Sequence, residues 1–331
     1  MKVISVVNQK GGVGKSTTAL CIGALLRRNT RKVLFVDLDA QGNLTHTLKG
    51  DAQAGINAFS LMLDPRLVAN AVQQTAQGDL IPSTPALYTA DLAVIDEKGK
   101  ASKSERLARA LELISSDYDY CVIDTPPALG VLTINALVAS DGVIIPAQAD
   151  LFSLQGVAIL ADMMASIKAN NNPKLALLGV LLTRYNERTV IRREFVRALE
   201  NLTKKLNTRV FKAKIRESVA VVEALALGRA LFEHAPTSNA SKDYEEFFKE
   251  LKNHVMTGVS YMIPAVTVGG VCIAFALATG KAGANGMEVT NAFWANINTI
   301  GGAAIGFMCP MLAGYIAYSI AGRPGVVHKS M

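Results

Sequence analysis

Cysteine is scarce in this chain. Its four cysteines (Cys21, Cys121, Cys272, Cys309) are far apart and form no CxxC pair, which excludes a disulfide framework or thiolate metal site and suits a reducing compartment. Aromatic residues are 6% of the chain, with one tryptophan. No helix-turn-helix or base-reading motif is evident, so operator recognition is not expected. Met1 runs directly into an apolar strand pattern, leaving no signal peptide in the reading. Charge is missing altogether from Val255–Gly280 and Val289–Gly322, each long enough to cross a bilayer. Acidic groups are the minority, 27 against 34 Lys and Arg, and the net charge of +7 suggests an anionic partner, nucleic acid or a membrane surface. At 331 residues the chain exceeds one average domain.

The stretch Asn8-Gln9-Lys10-Gly11-Gly12-Val13-Gly14-Lys15-Ser16-Thr17 organises the first three quarters. Before it, Lys2–Val7 reads as a buried strand; after it, Ser16–Arg28 has the apolar spacing of a helix packed on a sheet. Strand, glycine turn and helix in that order gather backbone N–H groups around one point, which makes a phosphate site. Lys15 would reach the β- and γ-phosphates and the Ser16 hydroxyl would ligate Mg²⁺. An ordinary P-loop has glycine at position 9; here Gln9 stands there, followed by a second lysine, Lys10.

Further strands are expected at Arg31–Asp37, Asp79–Ser83, Tyr118–Asp124, Gly142–Pro146, Leu175–Thr183 and Arg209–Lys214, and an amphipathic helix at Leu151–Lys168. Asp37 and Asp39 follow the second strand, at the carboxyl end where open parallel sheets bind ligands. Two carboxylates beside a triphosphate must be offset by Mg²⁺ and lysine, so a metal is implied. Asp39 also reads as a helix N-cap before Gln41–Leu48. Asp124 ends a third buried strand, the place of the carboxylate that holds Mg²⁺ through water. His46 reads as an ordinary polar residue on a helix face.

The phosphate loop resembles the deviant Walker A motif, KGGxGK[ST], of the ParA/MinD family of P-loop ATPases. Asp37-Leu38-Asp39-Ala40-Gln41-Gly42-Asn43 and Asp124-Thr125-Pro126-Pro127 resemble that family's two switch segments, and Arg216–Ala224 its late signature over the base. Two positions depart from the common pattern: Ala40 and Arg216 each stand where proline is usual. The similarity spans about residues 1–253 and implies an α/β P-loop NTPase with a doubly wound, mostly parallel sheet flanked by helices. It implies ATP and Mg²⁺ as cofactors, bound by Gly11, Gly12, Val13, Gly14, Lys15, Ser16 and Thr17. Asn186 would face the adenine, and Ser16, Asp37 and Asp124 would serve the metal. Lys10, Lys15 and Asp39 would be catalytic, Lys10 reaching across a homodimer formed on ATP binding and Asp39 orienting water. Family members bind DNA nonspecifically and answer to a ParB-like stimulating protein. Arg188, Arg192, Arg193 and Arg216 belong to the basic set for that contact, which equally reads as a solvated helix face.

The tail, 254–331, is different. Two spans, about 256–279 and 297–321, joined by a glycine-rich link at Lys281 to Glu288, predict a two-helix transmembrane hairpin with both ends cytoplasmic. Buried soluble helices are the alternative. His254–Pro264 and Ile300–Gly325 resemble the membrane-embedded IIC domain of the fructose-type phosphotransferase permease, over a small part of that domain. Two spans cannot build a midplane transport site, so transport by this chain alone is not expected. The readings carried forward are a partition ATPase fused to a permease fragment, a MinD-like membrane-positioning ATPase and a component of the sugar phosphotransferase system. The expected location is the inner membrane with the ATPase domain cytoplasmic, or else the cytoplasm and nucleoid.

Overall fold

Short Val, Ile and Leu runs buried on both faces are the pattern of a parallel sheet covered by helices on each side. The computed structural model describes residues 1–95, 102–186 and 190–252, and in the tail 273, 275, 278, 281–283, 286–288 and 292–306. The chain divides into two units, Met1–Phe248 and Lys249–Met331.

The first unit begins β1 (Lys2–Val6), α1 (Lys15–Arg28), β2 (Val33–Asp37), α2 (Asn43–Thr47), α3 (Ala58–Leu63) and α4 (Val68–Ala71). It continues with β3 (Gln73–Thr75), β4 (Gly78–Ile81), a 3-10 turn (Pro85–Thr89), α5 (Ala90–Ala93), α6 (Arg106–Leu113), β5 (Tyr120–Asp124) and α7 (Val131–Ala139). Then come β6 (Gly142–Ala147), α8 (Leu151–Asn170), β7 (Ala176–Leu182), α9 (Val190–Lys205), α10 (Val219–Ala226), α11 (Leu231–His234) and a helix, α12, over 239–252, whose last four residues fall past the unit boundary.

Seven strands form one sheet in the order β3-β4-β2-β5-β1-β6-β7, parallel throughout except for β3 on β4. Alternation along each strand sorts the core. Leu34, Val36, Cys121 and Ile123 point to the face covered by α3 through α7, whereas Phe35 points to α1. There Gly23 leaves space for the Phe35 ring, because a Cβ would lie 2.1 Å from it. The register pairs Asp37 with Asp124, and Asp124 in turn with Val6, so both carboxylates sit at neighbouring strand ends beside the loop leaving β1.

One strand is unexpected and one expected strand is broken. Gln73–Thr75, polar and three residues long, is an antiparallel edge strand that hydrophobic pattern does not reveal. Arg209–Lys214 is not a continuous strand; it bridges β7 only at Val180–Val210, with a second bridge at Tyr185–Arg216. Phe211 packs over Gly179, where a Cβ would stand 2.7 Å from its ring, and its amide donates to the Val180 carbonyl at 2.9 Å. Among the described residues one helix, α8, is long and apolar enough to cross a membrane. Its Val157, Leu160, Met164 and Ile167 are buried in the core beside β6 and β7.

In the second unit, Lys281–Gly283 and Gly286–Glu288 pair as an antiparallel two-stranded ribbon where a polar link was expected. A helix, α13, runs through Ala292–Gly306, with the Phe293 and Trp294 rings edge to face at 5.2 Å. Of the expected first span, 273, 275 and 278 are helical and the rest lies outside the described residues; of the second, 297–306 is helical and 307–321 lies outside them.

Candidate functional site

The phosphate loop closes because two glycines take conformations denied to most residues. Gly12 has φ of 71° and Gly14 of 84°. At Gly11, Gly12 and Gly14 a Cβ would meet nothing within 4 Å, so an open concavity lies over the loop backbone and the first turn of α1. Lys15 opens that helix and curls back, donating from Nζ to the Lys10 carbonyl at 3.1 Å. Burial lowers the Lys15 pKa from its ordinary value, while Asp124 and Asp39 pull the other way. Val13 faces inward; its carbonyl accepts from the Thr183 hydroxyl at 2.8 Å, tying the loop to the end of β7.

A cleft of about 490 Å³ opens here, walled by the loop, Asp39, Gln41, Pro127, Thr183 and Ile215. Ser16 and Thr17 line it as expected, and so does His46, for which the sequence suggested no such place. Thr183 and Arg184 also line the cleft, whereas Asn186, expected to face the adenine, is exposed and is not among the lining residues. Val221, Val222 and Tyr244 also line the cleft. Tyr244 lies in α12, and its hydroxyl pairs with Thr18 of α1 at 3.2 Å.

The three carboxylates divide their work in a way the sequence does not disclose. Asp37 is hydrogen-bonded by the protein: Oδ2 accepts from the Thr45 amide at 2.8 Å and hydroxyl at 2.7 Å, and Oδ1 from the Asp39 amide at 3.1 Å. Burial raises its pKa to about 6 against those hydrogen bonds. Asp37 therefore anchors the 39–45 turn from the end of β2, paired in register with Asp124. Asp39 accepts from the Gln41 amide at 3.0 Å and lines the cleft. It is not an N-cap, since Gly42 holds that position before α2.

Asp124 differs from both. Its side-chain oxygens are buried without a hydrogen bond of good geometry, although the Ser16 hydroxyl lies near enough to lower its pKa. Burial, with Asp37 and Asp39 adding to it, pushes its pKa well above the carboxylate range, against a weaker pull from Ser16 and Lys15. A buried carboxylate left open in this way calls for a cation. Among the described residues no three His, Cys, Asp or Glu gather as a metal cage. That suits Mg²⁺, which takes one or two protein oxygens and completes its shell with phosphate and water. Ser16 and Asp124 fit that role, and Mg²⁺ there would neutralise charge on the transferring phosphoryl group.

An AAA domain family matches residues 1–177. The sporulation initiation inhibitor protein Soj of Bacillus subtilis is 36% identical over 255 residues, which cover 76% of this chain and 98% of that protein. The chain belongs to the ParA/MinD family of P-loop ATPases. The chromosome-partitioning ATPase Soj of Thermus thermophilus is likewise 36% identical over 252 residues, 76% of this chain and 96% of that one. Among solved structures, cobyrinic acid a,c-diamide synthase from Mycobacterium smegmatis with bound ADP and magnesium matches at TM-score 0.66 and 32% identity, covering 78% of this chain and 96% of that chain. This ParA/MinD-family chain is thus an ATPase with ATP and Mg²⁺ as its cofactors.

The second lysine of the loop is paired within the chain. Lys10 Nζ lies 2.6 Å from Asp150 Oδ2 and 3.0 Å from Gln148 Oε1 of the same protomer. Burial of Asp150 works against its ionisation, but the bonds from Lys10 and Ser153 outweigh it and hold the carboxyl below its ordinary pKa. The basic set scatters. Arg193 is exposed on α9, while Val196 and Leu199 of the same helix are buried. Arg188 and the side chain of Arg192 lie outside the described residues. Arg216 forms a bidentate pair with Asp243, Nη2 to Oδ1 at 2.7 Å and Nε to Oδ2 at 2.9 Å, on the cleft wall.

Proposed function

We propose that this ATPase works in DNA partition. Two copies close face to face on ATP, each Lys10 leaving Asp150 for the partner's nucleotide. The closed dimer holds DNA by its phosphates, without regard to sequence. Asp39, on the cleft wall, orients the attacking water, and a ParB-like protein stimulates hydrolysis and release.

The observation that carries the reading is Lys10: it sits beside the loop on a partly exposed ion pair, with side chains about one-third exposed, so it is free to exchange partners at little cost. Around it the chain exposes apolar groups that a second copy would cover: Leu151 and Phe152 at the start of α8, and Val219 and Val222 on α10. The net charge of +7 favours a polyanion, and Arg193 with Arg188 and Arg192 remain the candidates for contact. Arg216 is assigned instead to the nucleotide wall, because Asp243 already takes its guanidinium. Analytical ultracentrifugation tests the closure: the full chain should double in mass with Mg-ATP and not with Mg-ADP. Equal mass in both would refute it.

For the tail we propose membrane insertion, with the hairpin a fragment of permease type and the ATPase domain on the cytoplasmic side of the inner membrane. The two uncharged runs favour it. A tether of this kind restricts travel over the nucleoid and so favours a MinD-like positioning role beside partition. Retention of the full-length chain in the membrane pellet after an alkaline wash is the expected result; release into the soluble extract would leave the chain in the cytoplasm and nucleoid.

A further inference from the structure

Helix α7 follows directly on the Asp124–Pro127 segment, yet it lacks a cap of its own: Gly130 is the N-cap residue and offers no side chain. The missing acceptor comes from elsewhere in the chain. Asp91 of α5 places Oδ1 2.6 Å from the Val131 amide, an anion at a helix N-terminus. Gly130 makes room for it, since a Cβ there would lie 2.4 Å from Asp91 Oδ2. Three residues earlier in the same stretch, the Tyr88 hydroxyl accepts from the Gln41 side-chain amide. Gln41 and Pro127 both line the nucleotide cleft, whereas no residue of 85–95 does. Leu87, Ala90 and Val94 root the stretch in the core that also holds Val131 and Leu132.

We propose that Pro85–Val94 is a strap that fixes both switch segments, with Asp91 and Tyr88 as positioning residues for ATP hydrolysis. Through α7, Asp91 sets where the 125–130 loop stands; its other end is pinned by the Thr125 hydroxyl donating to the Val6 carbonyl at 2.9 Å. Through Gln41, Tyr88 sets the turn that carries Asp39. The strap touches no nucleotide, so it acts on the rate and not on binding. This inference rests on ATP hydrolysis alone and is independent of DNA or membrane binding.

The test is steady-state Mg-ATPase of the full-length chain, with thermal melting alongside. Asp91→Ala should lower kcat about 5- to 10-fold while KM for ATP stays within about 2-fold, as for a group felt only at the transition state. Asp91→Asn keeps an acceptor oxygen and should restore at least about half of the wild-type kcat. Wild-type kcat in Asp91→Ala, a loss expressed in KM, or a loss that Asp91→Asn does not restore would each overturn the proposal. Should Asp91→Ala fail to fold, Tyr88→Phe decides, because that side chain is 66% exposed and carries little of the fold. It should lower kcat by at least about 2-fold at unchanged KM; unchanged kcat would overturn the strap.

Discussion

Asp124→Asn should stabilise the nucleotide-free protein and nearly silence the enzyme. Asp124 is fully buried with neither oxygen in a hydrogen bond of good geometry, and its pKa is raised well above the usual range. For an acid whose folded pKa lies above its unfolded one, the native state holds the proton longer. Its contribution is then favourable at low pH and is lost as pH rises from about 4 through the folded value. Asp37, raised to about 6, shares the sign and completes its loss near that pH. At pH 7.5 the wild-type protein without nucleotide therefore bears the cost of keeping carboxyl groups buried at paired strand ends. The amide carries none, so its Tm should rise by roughly 2–6 °C, with a flatter dependence on pH. Mg²⁺ loses its buried carboxylate in the same step, and Mg-ATPase activity should fall on the order of 10- to 100-fold. Melting curves from pH 5 to 8 with parallel rate measurements check both halves. A less stable variant, or activity within about 2-fold of wild type, would contradict the metal assignment.

Lys10→Ala should separate nucleotide binding from everything that needs two copies. Lys15 is the lysine buried in the loop, next to Asp124 and Asp39, so one protomer's affinity for ATP should stay within about 3-fold. Lys10 lies outside that contact, on Asp150 and Gln148. Its pair with Asp150 is only partly shielded, and such pairs are worth roughly 0–1 kcal/mol, so its loss should barely change Tm. An ammonium set on the partner's phosphates in a closed, dry interface is worth far more, and its truncation should weaken ATP-dependent association by about 30-fold or more. Calorimetric ATP titration and sedimentation of the variant separate these effects. Undiminished association with Mg-ATP would remove Lys10 from the interface.

The sequence made the centre of this site legible because its chemistry is local. A glycine-rich turn between a buried strand and a helix can be read from neighbouring residues, and Lys15, Ser16 and Thr17 stand where that reading puts them. What failed to show depends on contacts between distant residues. Asp37 and Asp124 look alike at their strand ends, yet Thr45 satisfies one and no hydrogen bond of good geometry satisfies the other. The pair that Arg216 makes through Nε and Nη2 with Asp243, on a later helix, gave no signal in the sequence either. Asp91 gave no signal, since a cap supplied from 40 residues away leaves no motif beside the helix it serves. His46 sits on the cleft through the turn that Asp37 anchors, a placement that helical periodicity cannot report.

The most direct test of the account is fluorescence anisotropy of a labelled duplex of arbitrary sequence, titrated with the full-length chain in Mg-ATP and in Mg-ADP. Tight binding in Mg-ATP alone, insensitive to sequence and steeply weakened by salt, is the result the account predicts. Equal binding in both nucleotides, or none in either, would contradict an ATP-gated hold on DNA.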